Sequence, residues 1–282
     1  MTKVLLTHGD KSNERIKENL ESYGFSFVSP EVTGDVYEPC SFTGLEDVDV
    51  GLVFPGRLME GGIVDALTDI AWVNGQTEVL TCKNKARCTA KLTREDIDVP
   101  DTLFVSNPTD RSDVIDSVEE SFEGPVVVKP NSSTRGRGAI KADDVRDISG
   151  VFDYFDVIHE SSLVFDKVYL VQEYLEDPVD YRVMVIGGDY VGAVVRENDG
   201  WKKNVHAGAD ARGVTPPDGV IEVSEEAAQV LGVDFCGVDV LVSGARISVL
   251  EVNARPTVDN FEKYEPEFYD KFAEVLEQKI RS

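Results

Sequence analysis

Long apolar runs are missing from this sequence: none approaches the roughly 20 residues of a membrane-spanning helix, so no membrane partner is expected. Cysteine is scarce. Cys40, Cys82, Cys88 and Cys236 are the only four in 282 residues and show no CxxC spacing, which disfavours a disulfide framework and structural zinc and predicts reduced thiols. Positive charge is also short. The 28 Lys and Arg face 53 Asp and Glu, and the net charge of −25 repels nucleic acid and anionic membranes over most of the surface. The two common glycine-rich phosphate signatures, G-x-G-x-x-G and G-x-x-x-x-G-K-[ST], are absent, which removes a dinucleotide site of that type and a P-loop.

What remains is a soluble globular composition, 41% hydrophobic, long enough for two or three compact units. The start, MTKVLLTHGDKSNER, has only a short apolar stretch before polar residues, so a cytoplasmic protein that keeps its N-terminus is expected. The acids are scattered through every predicted element and form no tail. Such a surface suits hydration in concentrated salt and predicts a halophilic origin; a basic protein partner is the other account.

The first 82 residues alternate strand and helix. KVLLT, FSFVSP, VDVGLVFP and TEVLT read as strands, Ser12 as a cap before Ile16, Leu20 and Tyr23 at helical spacing, and IVDALTDIAWV as a helix. This predicts an α/β unit with a parallel sheet. After residue 83 the strict alternation ends and α+β subdomains are expected, one over residues 83–172 and one over 173–282. The first begins with a basic-rich helix from Asn84 to about Ile97, then a helix at RSDVIDSVEESF, the apolar run Pro125–Val128, a helix around Val151–Ile158 and the strand VYLVQEYLE. The second holds a hairpin, DYRVMVIGGDYVGAVVRE, turning at Gly187-Gly188-Asp189, a helix at SEEAAQVLG, a second hairpin, and a terminal amphipathic helix.

Several residues in these two subdomains suit anion chemistry. Lys129 ends an apolar strand, where its charge needs a partner or a path to water. The loop after it, Asn131 to Gly138, carries hydroxyls, arginines and Gly136 and Gly138, so its backbone N–H groups can close on a phosphate, although a surface turn has the same composition. Glu173, Tyr174 and Leu175 leave a core strand where backbone groups can meet a flat ring. Arg182 and Arg196 stand on opposite arms of one hairpin and on parity share a face; they form either a guanidinium clamp for a carboxylate or phosphoryl group, or surface ion pairs with Asp180 and Glu197. Lys202, Lys203, Asn204 and His206 make a local polar run, and Trp201 reads as packing.

The second hairpin, GVDVLVSGARISVLEVNAR, places Asp239 on one strand and Glu251 and Asn253 on the other. Glu251 and Asn253 lie two apart and share a face. These are hard oxygen ligands of the kind Mg²⁺ takes alongside phosphate oxygens. A two-residue loop at Gly244-Ala245 would set Asp239 opposite Leu250 and turn Glu251 away, so a metal site requires a three-residue loop or a bulge. A solvated surface hairpin is the plain alternative.

Taken in order, NKARCTAKLTREDIDVPDTLFV, PVVVKP with its glycine loop, YLVQEYLE, DYRVMVIGGDYVGAVVRE, KNVHAG, GVDVL and LEVNARP resemble the ATP-grasp superfamily, and within it the RimK-type glutamate ligases. The resemblance covers roughly residues 83 to 263. It implies a nucleotide held between two antiparallel sheets, with Lys129 and Lys85 on the phosphates, Glu173 and Tyr174 at the adenine, Asp180 toward the ribose, Lys202 and Asn204 near phosphate and metal, and Arg196 at the transferred phosphoryl. Asp239, Glu251 and Asn253 correspond to the Mg²⁺ ligands, with Mn²⁺ as an alternative ion. The chain departs from the pattern at Asn204–Ala209, where N-[LIV]-[HA]-R-G-G is usual, at Lys202, where arginine is usual, and at Asn253-Ala254-Arg255-Pro256-Thr257, where N-A-S-P-G is usual. The activity implied is ATP-dependent joining of a carboxylate, from a small molecule or peptide, to an amine acceptor, with Arg182 helping to shape the acceptor pocket; a homo-oligomer is compatible with this reading. An ATP-binding regulatory or scaffold protein of the same fold that has lost turnover is the alternative.

Overall fold

The computed structural model describes residues 1–6, 11–29, 45, 47–134, 136–161, 165–197, 200–201, 210–258 and 263–281. Lys202, Lys203, Asn204, His206, Arg135 and Cys40 lie outside them.

Four strands, β1 (Thr2–Leu6), β2 (Phe25–Val28), β3 (Val50–Leu52) and β4 (Trp72–Val73), form a parallel sheet in the order β2-β1-β3-β4. This is the parallel α/β unit predicted. Helices α1 (Lys11–Leu20), α2 (Leu58–Thr68) and α3 (Gln76–Lys83) accompany it. Two assignments change. TEVLT lies in α3: its β-branched residues favour a strand locally, but Glu78 in the first turn and Lys83 in the last complement the helix dipole, and Val79, Thr81 and Cys82 are buried. The fourth strand is instead Trp72–Val73, because α2 stops at Asp69 in a left-handed conformation, φ 51°.

The next unit is an antiparallel sheet of β5 (Thr102–Ser106), β6 (Val126–Pro130), β7 (Ile140–Ala142) and β8 (Val168–Glu173), ordered β5-β8-β6-β7 and backed by α5 (Arg111–Ser121) and α6 (Ser149–Glu160). Its apolar residues, among them Val105, Val118, Val128, Phe152, Phe155 and Tyr169, form a core of their own. The last sheet is antiparallel too. It joins β9 (Val179–Ile186), β10 (Asp189–Glu197), β11 (Asp210–Val214), β12 (Phe235–Ser243) and β13 (Arg246–Asn253) in the order β11-β10-β9-β12-β13, with α7 (Asp218–Leu231) and α8 (Phe268–Arg281). The β9–β10 turn is the two residues Gly187 and Gly188, with φ of 64° and 91°, a conformation that glycine adopts at little cost.

The parallel sheet does not have a separate core. Leu5, Phe54 and Trp72 pack in one cluster with Val183, Val238 and Val252, and Val4, Leu6 and Val73 pack with Met184, Phe235 and Phe272. Helix α4 (Lys85–Arg94) joins the first of these clusters through Cys88 and Leu92. Asn74, at 1% exposure, ties the two sheets polarly: its Nδ2 donates to Phe235 O and, at 2.8 Å, to Ala254 O, while its Oδ1 accepts from Asp234 N at 2.8 Å and Phe235 N at 3.2 Å. Replacement by Ala leaves four backbone groups in the interior without these bonds. We expect Asn74→Ala to lose about 2–4 kcal/mol of unfolding free energy, read by urea titration; a loss below about 0.5 kcal/mol would show that water replaces the amide.

Candidate active site

Between the two antiparallel sheets lies a cleft whose walls include Lys85, Lys129, Gly136, Glu173, Tyr174, Leu175, Asp180, Asp239 and Glu251, residues that span 167 positions of sequence. Gly138, Arg182, Arg196 and Asn253 are not part of that wall. The last three stand directly behind it, bonded to Asp239.

Strand register explains the buried charges. Asp239 on β12 lies opposite Arg182 on β9, and Asp180 on β9 lies opposite Arg196 on β10. Arg182 donates to Asp239 through Nε and Nη2, both at 2.7 Å, the forked geometry that only guanidinium supplies. Arg196 reaches Asp180 through Nη2 at 2.6 Å and Nε at 3.1 Å, and Asp239 through Nη1 at 3.3 Å. The two arginines do share a face. They are not surface ion pairs, since the Arg196, Asp180 and Asp239 side chains are 3%, 5% and 1% exposed; Glu197 pairs instead with Arg212 in solvent. Burial, with Asp239 beside it, pushes the Asp180 carboxyl up to about 7 against the pull of Arg196.

The β12–β13 hairpin turns in two residues, Ser243 pairing with Arg246, and the register then shifts between Asp239 and Val240. Leu250 is the extra residue. Asp239 therefore faces Glu251 instead of Leu250, which is the bulge that a shared ligand face requires. Asn253 Nδ2 lies 3.2 Å from Glu251 Oε1 and 3.5 Å from Asp239 Oδ2, so the three side chains converge. Although burial alone would raise it, the charges of Lys85, Arg182 and Lys129 hold the Glu251 carboxyl at about 2. Two carboxylates and an amide oxygen, available once the Asn253 amide is turned, are a donor set that fits a hard divalent cation.

Lys129 Nζ donates to Gln172 Oε1 at 2.7 Å, and Lys85 Nζ donates to Ser133 O at 2.5 Å and lies 3.6 Å from Glu251. Burial, opposed by Glu251, brings the Lys129 ammonium down to about 8. The glycine loop is fastened to α4 by Asn131, whose Oδ1 accepts from Ala86 N at 2.8 Å. Gly136 and Gly138 have φ of 66° and 76°. At the opposite end, Glu173 turns its carboxylate to Arg246, 2.5 Å away, and to Asp101 N at 2.8 Å, and its backbone N–H donates to Asp101 O at 2.9 Å, so of its polar groups the backbone carbonyl is the one placed to meet a ring. Tyr174 N donates to Pro125 O at 2.9 Å, while the Leu175 N–H has no partner among the described residues. Trp201 also borders the cleft.

Sequence reasoning gave no role to Gln172, Arg246 and Asn74, and took Asn131 only as the start of the glycine loop. Gln172 was legible as the one polar residue inside YLVQ; the others bond across distant segments and carry no local signal. Burial pushes the Cys82, Cys88 and Cys236 thiols up, so none of them is prepared as a nucleophile. Because the Lys129 ammonium is depressed in the folded protein, the unfolded chain holds the extra proton between about pH 8 and 10.5, and stability rises with pH across that window. In urea titrations at pH 7.5 and 10, wild type should gain on the order of 2–3 kcal/mol relative to Lys129→Met. A pH-independent difference would place the ammonium in water.

The RimK-like ATP-grasp domain family matches residues 82–270. A "Probable alpha-L-glutamate ligase" of Enterobacter sp. (strain 638) is 33% identical over 195 residues, 68% of this chain and 62% of that protein. A "Ribosomal protein bS6--L-glutamate ligase" of Shigella boydii serotype 4 (strain Sb227) is 32% identical over 198 residues, with the same coverage of 68% and 62%. The chain thus spans less than two thirds of the length of these curated relatives. Among solved structures, D-cycloserine synthetase DcsG superimposes with a TM-score of 0.77 at 16% identity over 99% of both chains, and D-alanine--D-alanine ligase from Bacillus anthracis with 0.72 at 15% identity over 100% of this chain and 98% of that one. With its two antiparallel sheets facing across a cleft and this match over most of its length, the chain belongs to the RimK-like ATP-grasp family.

Proposed function

We propose that this protein is an ATP-dependent ligase that joins a carboxylate to an amine through an acyl phosphate and releases ADP and phosphate. The observation that carries the reading is the meeting of Lys85 and Lys129 with Asp239, Glu251 and Asn253 in one cleft. With Glu173 held by Arg246, the cations Lys85, Lys129, Arg182 and Arg196 stand against the carboxylates of Asp180, Asp239 and Glu251, so the site accommodates a polyanion. The adenine end is assigned to the backbone of Glu173–Leu175, where the Leu175 N–H awaits an acceptor. Gly136, Gly138 and Lys129 are assigned to the phosphates, and Lys202 and Asn204 keep the assignment that the resemblance gave them. Asp180 serves Arg196 before it serves a ribose, because both its closest contacts are to that guanidinium.

Asp239, Glu251 and Asn253 would hold Mg²⁺, or Mn²⁺, which screens phosphate charge when bound. Lys129 and Arg196 stabilise the negative charge as the phosphoryl group moves, and Arg182 holds the Asp239 carboxylate in its orientation. A carboxylate oxygen attacks the γ-phosphorus and the bond to the ADP oxygen breaks. The amine then attacks the acyl carbon to form the C–N bond and loses a proton to solvent, and the acyl C–O bond breaks with its electron pair leaving on phosphate. The units are proposed as 1–82, 83–172 and 173–282, the first contributing the acceptor side. No described helix is long and apolar enough to cross a membrane; the cytoplasmic location read from the opening residues is kept as a proposal, and the net charge of −25 supports the absence of a nucleic-acid partner.

With ATP, Mg²⁺ and pooled amino acids and peptides, substrate-stimulated ADP is expected, and Glu251→Gln should reduce it by roughly 100-fold or more. ATP binding without stimulated ADP from any pool would favour the scaffold reading. The acidic surface is assigned to a halophilic setting: the thermal midpoint should rise from dilute buffer to molar KCl, and an unchanged midpoint would point to a basic partner instead.

A further inference from the structure

Of the two lysines in the cleft, one has a carboxylate and the other an amide. Lys85 Nζ lies 3.6 Å from Glu251 Oε2, whereas Lys129 Nζ makes its hydrogen bond to Gln172 Oε1 at 2.7 Å and, among the described residues, no ion pair. This bond is made in the interior, with Lys129 9% and Gln172 3% exposed. A buried ammonium is ordinarily compensated by a carboxylate. Here a neutral side chain has that place, although the charge of Glu251 also acts on Lys129.

Strand register brings the two together. Gln172 on β8 pairs with Thr102 on β5 and with Val127 on β6, and Lys129 stands two residues beyond Val127, so Thr102, Gln172 and Lys129 share one face of the sheet. The Thr102 hydroxyl donates to Pro100 O at 2.7 Å, which leaves its oxygen as an acceptor only, and Gln172 Nε2 donates to that oxygen at 2.8 Å. The amide is therefore fixed from both ends. Its nitrogen must face the hydroxyl oxygen, and its carbonyl oxygen must face the ammonium, which has donors and no acceptor. The chain Pro100–Thr102–Gln172–Lys129 ends in the cleft, where Lys129 and Gln172 both form part of the wall.

We infer that Gln172 is a positioning residue for Lys129, a neutral acceptor that aims the ammonium into the cleft without cancelling its charge, and that Thr102 keeps the amide from turning over. An ammonium has three N–H donors and this bond uses one. The other two, and the whole positive charge, stay available to the phosphates assigned to Lys129. A glutamate at position 172 would hold the same nitrogen and neutralise it. An apolar side chain there would release the ammonium toward Glu251. This role rests on the nucleotide-binding part of the ligase reading; the bond pattern itself does not.

The test measures displacement of a fluorescent ATP analogue by ATP and by adenosine, with Mg²⁺ at constant ionic strength, on wild type, Gln172→Glu, Gln172→Met and the exposed charge-matched control Gln229→Glu. Gln172→Glu and Gln172→Met should each bind ATP roughly tenfold or more weakly, while their adenosine affinity and all affinities of Gln229→Glu stay within about twofold of wild type. Circular dichroism checks folding, and either Gln172 variant suffices if the other fails to fold. If neither folds, Thr102→Val, which frees the amide to turn, decides on the same split between ATP and adenosine, and Thr102→Ser, which keeps the hydroxyl, should restore ATP binding. ATP affinity within about twofold of wild type in the folded variants overturns the role, and so does an equal loss for ATP and adenosine, which would make Gln172 a contact of the ring or a packing residue. Wild type that binds no ATP removes the nucleotide reading and this role together. Variant-sensitive ATP binding without substrate-stimulated ADP removes the ligase reading and leaves the role standing.

Discussion

The forked bond between Arg182 and Asp239 is the interaction on which the rest of the cleft depends. Asp239 is 1% exposed, and a carboxylate so placed is tolerated only with full compensation. Arg182 supplies two short bonds from the adjoining strand, and Arg196 adds a third from the strand beyond. This requires β9, β10 and β12 to pair in the observed register. A slip by one residue would turn one partner to the opposite face and leave the other charged and alone.

The bulge at Leu250 extends this constraint to β13. It lets a tight two-residue turn coexist with Asp239 facing Glu251, so turn chemistry and site chemistry are both satisfied. The remaining charges then balance across the cleft. Lys85 and Lys129 come from the opposite wall and hold Glu251 ionised, while Glu251 in turn limits the cost of burying Lys129. Neither wall is complete without the other.

Polar ties carry the same dependence outward. Arg246 links the hairpin to Asp98 and Glu173, Asn131 links the glycine loop to α4, and Asn74 joins the parallel sheet to the backbone on either side of the β12–β13 pair.

Much of this was legible in the sequence, because it rests on local rules: alternation showed the parallel unit, the glycine pair marked the β9–β10 turn, and the spacing of Glu251 and Asn253 fixed their common face. TEVLT shows where local rules stop. Its β-branched residues favour a strand, and burial of Val79 and Cys82 in a core shared with distant strands makes it a helix. The sequence by itself determined which charges and glycines were available and in what order. Only the tertiary structure decided that Asp239 meets Arg182, that Leu250 bulges, and that Lys129 meets Gln172, since each follows from register and packing between separate segments of the chain.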